Sequence, residues 1–161
     1  MIRKCSASAV LATPLLFLLT GIPSSAQGQL DGSASLFTVM AAINAAGYDA
    51  DLDSTANSPL RNQVREYLAQ RKIECLPELK AFFAEHKQKN ASAELSQYVS
   101  FALTIEDPPK FEFRYKDNEI PPDVMGLWGF NELLARFYEQ AGIAGLWAKV
   151  QPAYEHGIAA Y

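Results

Sequence analysis

Between Leu36 and Ile158, large apolar side chains recur at steps of three and four residues, and three of these runs end at a glycine or proline that stops helices. That period matches the turn of an α-helix and predicts a mainly α fold, a compact bundle of about six helices. Leu36, Val39, Met40, Ile43 and Ala46 make the first stripe, closed by Gly47. Ser58-Pro59 is a cap and first-turn pair for a second, with Leu60, Val64, Tyr67 and Leu68 inward. A third opens at Pro77 and aligns Leu79, Phe82, Phe83 and His86; Ser92 is expected to cap a fourth, with Leu95, Tyr98, Val99, Ala102 and Leu103 inside. Phe130, Leu133, Leu134, Phe137 and Tyr138 form a fifth that stops at Gly142. The sixth carries Ile143, Leu146, Trp147, Val150, Tyr154 and Ile158, with Pro152 expected to kink or break it.

One stretch departs from this period. Phe111, Phe113 and Tyr115 alternate with Glu112, Arg114 and Lys116, which is the period of a strand. No partner strand is evident, because the following stretch contains Pro121 and Pro122. The segment therefore either lies along the helices or pairs with something outside the chain.

The amino terminus has a different origin. Arg3 and Lys4 precede an apolar run from Ala9 to Leu19, then Gly21, Pro23 and small residues, the pattern of a signal peptide cut after Ala26. The domain plan is a signal peptide over 1–26, a flexible lead over 27–35 and a helical domain over 36–161. Export to the periplasm or the medium follows, with no stable membrane insertion after cleavage, since Pro14 interrupts a run already shorter than the roughly 20 residues of a membrane span. Cleavage leaves 135 of the 161 residues and removes two of the 14 basic groups that face 18 acidic ones, taking the charge from −4 to −6. Nothing here collects phosphates, so nucleic acid is not an expected partner. Cys5 leaves with the leader, and Cys75 alone cannot form an internal disulfide.

Candidate chemistry is sparse. Asp49, Asp51 and Asp53 are spaced so that three carboxylates could converge on a hard cation, yet an EF-hand loop would need Gly and Glu where Ser54 and Leu60 stand. His86 and His156 lack a second ligand at helical spacing, and no catalytic nucleophile motif or phosphate-binding glycine loop occurs. No cofactor is expected within this chain. Most of the 9 Phe, 7 Tyr and 2 Trp fall on the helical stripes and read as core. Phe111, Phe113, Tyr115 and Trp128 do not, and they are the candidate binding surface for a peptide or protein.

Three runs, Phe37 to Asp51 (FTVMAAINAAGYDAD), Pro59 to Ala69 (PLRNQVREYLA) and Ile120 to Lys149 (IPPDVMGLWGFNELLARFYEQAGIAGLWAK), resemble the amino-terminal region of uncharacterised exported bacterial proteins. The resemblance implies longer members that continue into a zinc-peptidase-like region with an H-E-x-x-H helix. That motif is absent from this sequence, so zinc is expected only in a downstream region. The last stripe also runs to Tyr161 without a stop signal, which leads to the expectation of a domain incomplete at its carboxyl terminus. Two functions are therefore expected: the non-catalytic amino-terminal part of a larger, zinc-peptidase-like protein, whose partner is a downstream domain of the same chain, or a self-contained periplasmic binding or adaptor domain.

Overall fold

A computed structural model describes residues 33–48 and 59–159 of the chain. The leader, the carboxylates Asp49, Asp51 and Asp53 and the expected cap Ser58 lie outside the described residues. Seven helices make up the described fold: α1 (Ala34–Ala46), α2 (Pro59–Ala69), α3 (Leu76–Glu85), α4 (Ala91–Thr104), α5 (Pro122–Met125), α6 (Phe130–Ala141) and α7 (Ile143–Ala159). The seventh helix beyond the expected six is the single turn α5, too short to leave a periodic signature.

α1 forms the hub, packing against α2, α3, α4, α6 and α7. Its composition fits that position, because Val39, Ala41, Ala42 and Ile43 are buried and mostly small, so neighbouring helices can approach closely. It opens two residues before Leu36, since the Ser33 hydroxyl accepts the Leu36 N–H at 3.1 Å and satisfies an otherwise unpaired amide. It closes at Gly47, whose φ of 68° is the left-handed conformation that glycine adopts without steric cost. Ser35, buried, donates to the Glu106 carbonyl at 3.2 Å and to Asp107 Oδ1 at 3.1 Å, fastening α1 to the end of α4.

The aromatic centre is organised by Phe130 at the start of α6. Its ring meets Phe82 at 4.9 Å, Phe101 at 5.0 Å, and Phe83 and Tyr98 at 5.6 Å each, joining α3, α4 and α6. That centre sets the rotation of α4. Leu95 and Leu103, expected inside, are 40% and 62% exposed, while Phe101, Glu94 and Gln97 are buried. The helix turns to bring the larger Phe101 ring to Phe130 and carries two polar side chains inward with it. Gln97 is satisfied there, donating to the Asp123 carbonyl at 2.7 Å and accepting from Gln88. The α4 cap also differs from expectation: Asn90, two residues ahead of Ser92, accepts the Ser92 and Ala93 N–H groups at 2.9 and 3.3 Å.

The alternating segment finds its partner within the chain. After α4 a turn through Asp107–Lys110, containing a cis Pro108–Pro109 bond, brings the backbone back on itself. Ile105 and Phe113 then form an antiparallel bridge, with Glu106 N–H on the Glu112 carbonyl at 2.7 Å and Arg114 N–H on the Thr104 carbonyl at 2.9 Å. Further on, α7 continues through Pro152 without ending. Pro152 lies exposed in the second half of that helix, where the one missing amide bond falls on the solvent side.

Candidate functional site

Phe111, Phe113, Tyr115 and Trp128 are distributed unequally between core and surface. Phe111 is wholly buried: its φ of 52° breaks the extended run and turns its ring inward, edge-on to Tyr138 at 5.5 Å. A phenylalanine in that left-handed region is strained, and full burial of the ring offsets the strain. Phe113 is half-buried, with its ring edge-on to Phe101 at 5.9 Å on one side and stacked on Trp128 at 5.3 Å on the other. Trp128 remains 56% exposed and Tyr115 50% exposed. Phe113 and Trp128 form an aromatic ledge whose inner edge rests on the core, and Tyr115 is exposed two residues further along the chain from Phe113.

The ledge sits on a braced corner. Arg114 Nε donates to the Ile105 carbonyl at 2.5 Å while its guanidinium lies 3.6 Å from Asp107, and Lys110 pairs with Glu106 at 3.2 Å. Buried Val124 and Leu127 anchor the turn that delivers Trp128, and Gly129, at a φ of 87°, lets the chain reverse into α6. Trp128 is therefore held from both directions along the chain.

Beside the ledge lies a shallow depression of about 330 Å³ between α3 and α6, lined by Trp128, Phe82, Leu133, Glu78, Glu85 and Arg136. Arg136 forms a bidentate pair with Glu78 at 3.1 and 2.6 Å, and this hydrogen bonding holds the Glu78 carboxyl below its usual range. Periodicity within single helices could not reveal this trough, because it exists only once α3 and α6 are paired.

A second concavity, about 390 Å³, was also missed by sequence reasoning. Leu36, Phe37, Met40, Leu60, Val64, Leu95 and Tyr154 line it, from α1, α2, α4 and α7. The outward rotation of α4 puts Leu95 there. Met40 and Leu36, one turn apart on α1, were the available signal, since the first stripe is too broad for one helix contact to cover.

Cys75, His86, Glu94 and Tyr98 lie in the core or at its edge. Burial raises the Cys75 thiol pKa against a smaller opposing effect of Arg136, which keeps the sulfur protonated and unreactive. His86 stacks on Phe82 at 4.0 Å and its Nδ1 lies 2.8 Å from the Phe82 carbonyl, as a residue at the core edge should. Glu94 is buried with Oε1 unpaired, and desolvation raises its pKa, only partly countered by the Gln88 backbone amide. Burial and the neighbouring Glu94 carboxyl raise the Tyr98 phenol in turn.

Among the described residues, no three His, Cys, Asp or Glu side chains come together as a metal site. No described helix is long and apolar enough to cross a membrane. Comparison with known protein families, curated proteins and solved structures gives no match to this chain.

Proposed function

We propose that the chain is an exported helical binding or adaptor domain, itself non-catalytic, that engages a polypeptide through the ledge of Phe113 and Trp128 together with the exposed Tyr115. One observation carries this reading: Trp128 is more than half exposed yet already fixed by stacking on Phe113. A large apolar ring held in place on the surface loses little freedom when a partner covers it, and tryptophan is over-represented among residues that dominate binding energy. The polypeptide is a separate protein or a downstream domain of the same chain. The latter accords with the resemblance to a larger, zinc-peptidase-like protein, in which zinc and catalysis belong to the downstream region. Export to periplasm or medium rests on the leader ending at Ala26.

A photoreactive amino acid placed at Tyr115, in the protein expressed in its native host, tests this reading. A discrete covalent adduct to one polypeptide, or to a downstream part of the same chain, is expected there. No adduct is expected from Leu103, the most exposed large apolar side chain among the described residues. Equal, diffuse labelling from both positions would contradict a specific ledge.

A further inference from the structure

We infer that the depression beside Trp128 is a subsite for a cationic side chain, arginine foremost, on the polypeptide that the ledge engages. The inference rests on the adaptor reading and adds the chemistry of the partner. Glu78, Ala81, Phe82 and Glu85 stand one above another on a single face of α3, at the three and four residue steps that align side chains. Opposite them, α6 and the residue before it supply Gly129, Leu133 and Arg136. The trough thus holds two carboxylates and one guanidinium, and that guanidinium is paired bidentately with Glu78.

The Glu85 side chain makes no hydrogen bond or ion pair among the described residues and is exposed. It ends α3, where the unpaired carbonyls of a helix carboxyl terminus add negative potential. The amino terminus of α6 opposes that potential, but Glu132 in its first turn offsets the opposition. On the ledge side the wall is Trp128. Phe113 covers part of its indole, and the indole also borders the trough. An indole beside an unpaired carboxylate suits a guanidinium, which can lie against the ring and direct its N–H fork to the oxygens. A neutral apolar side chain would use only the ring, and an anion would meet Glu85.

Three acetylated and amidated tripeptides, Gly-Arg-Gly, Gly-citrulline-Gly and Gly-Leu-Gly, separate the two levels of the claim. Citrulline keeps the shape of arginine and removes its charge. With the full chain labelled in nitrogen-15, the indole N–H signals of Trp128 and Trp147 report each site separately. The arginine peptide should shift Trp128 saturably and leave Trp147 unmoved, binding about threefold to tenfold more tightly than the citrulline peptide at low salt. Glu85→Gln, at an exposed position, should remove most of that preference without changing the spectrum elsewhere. Equal affinity for the arginine and citrulline peptides, or an unchanged preference in Glu85→Gln, would overturn the cationic subsite. If the leucine peptide still moved Trp128 in that case, the ledge reading would survive alone; if no peptide moved it, both would fall.

Discussion

Glu94 shows how far one residue can be governed by its neighbours. It sits in the first turn of α4, where a carboxylate is favoured by the helix dipole, yet the rotation that buries Phe101 also removes Glu94 from water. Its raised pKa means that the folded protein holds the carboxyl proton more tightly than the unfolded chain does. The stability contributed by this group is therefore present below the ordinary carboxylate range and is lost as pH rises through the folded pKa. Glu94→Gln removes that titration. Its thermal midpoint relative to the parent should rise between pH 4 and pH 7, and a difference independent of pH would show that Glu94 is solvated. Phe111 makes a related point about legibility. Its place in the alternation Phe111, Phe113, Tyr115 put it among the surface aromatics, but one left-handed φ reverses the direction of its ring. Period alone could not register that reversal, because it depends on the turn that precedes Phe111.

For the elements, legibility followed punctuation. α1 and α6 were readable because Gly47 and Gly142 adopt φ of 68° and 63° directly after unbroken apolar stripes. α4 was legible as a helix but not in its orientation. The stripe of Leu95, Tyr98, Val99, Ala102 and Leu103 weights all apolar residues alike, whereas packing favours the face that brings Phe101 and Tyr98 to Phe130. The cap of α4 was expected at Ser92, and the backbone chooses Asn90 instead through its extended φ of −116° and ψ of 111°. Asn90→Ala should therefore cost about 1 kcal/mol in chemical denaturation, and Ser92→Ala should fall within about 0.5 kcal/mol of the parent. The reverse order would place the cap at Ser92. The trough between α3 and α6 belongs to this scale too, since each wall is an ordinary exposed helix face until the two helices meet.

The whole molecule combines a continuous core with an aromatic ledge on a braced corner. The core is helical in origin, and the ledge depends on a part of the chain with little helical period, between Asp107 and Gly129. For that reason Trp128 and Tyr115 stood out in the sequence as aromatics without a stripe, while the support that fixes Trp128, the bridge between Ile105 and Phe113, did not. Export belongs to this scale as well: mass spectrometry of protein recovered outside the cytoplasm should find Gln27 as the first residue, and an intact Met1 would contradict leader cleavage. The most direct measurement compares Trp128→Ala with the parent for partner capture and thermal midpoint together, with Phe130→Ala as the core reference. Trp128→Ala loses one ring stack, about 0.5 to 1.5 kcal/mol, against about 3 to 5 kcal/mol for Phe130→Ala. The expected result is a midpoint lowered by only a few degrees with capture abolished; capture retained by a folded Trp128→Ala protein would contradict the assignment of the ledge as the binding surface.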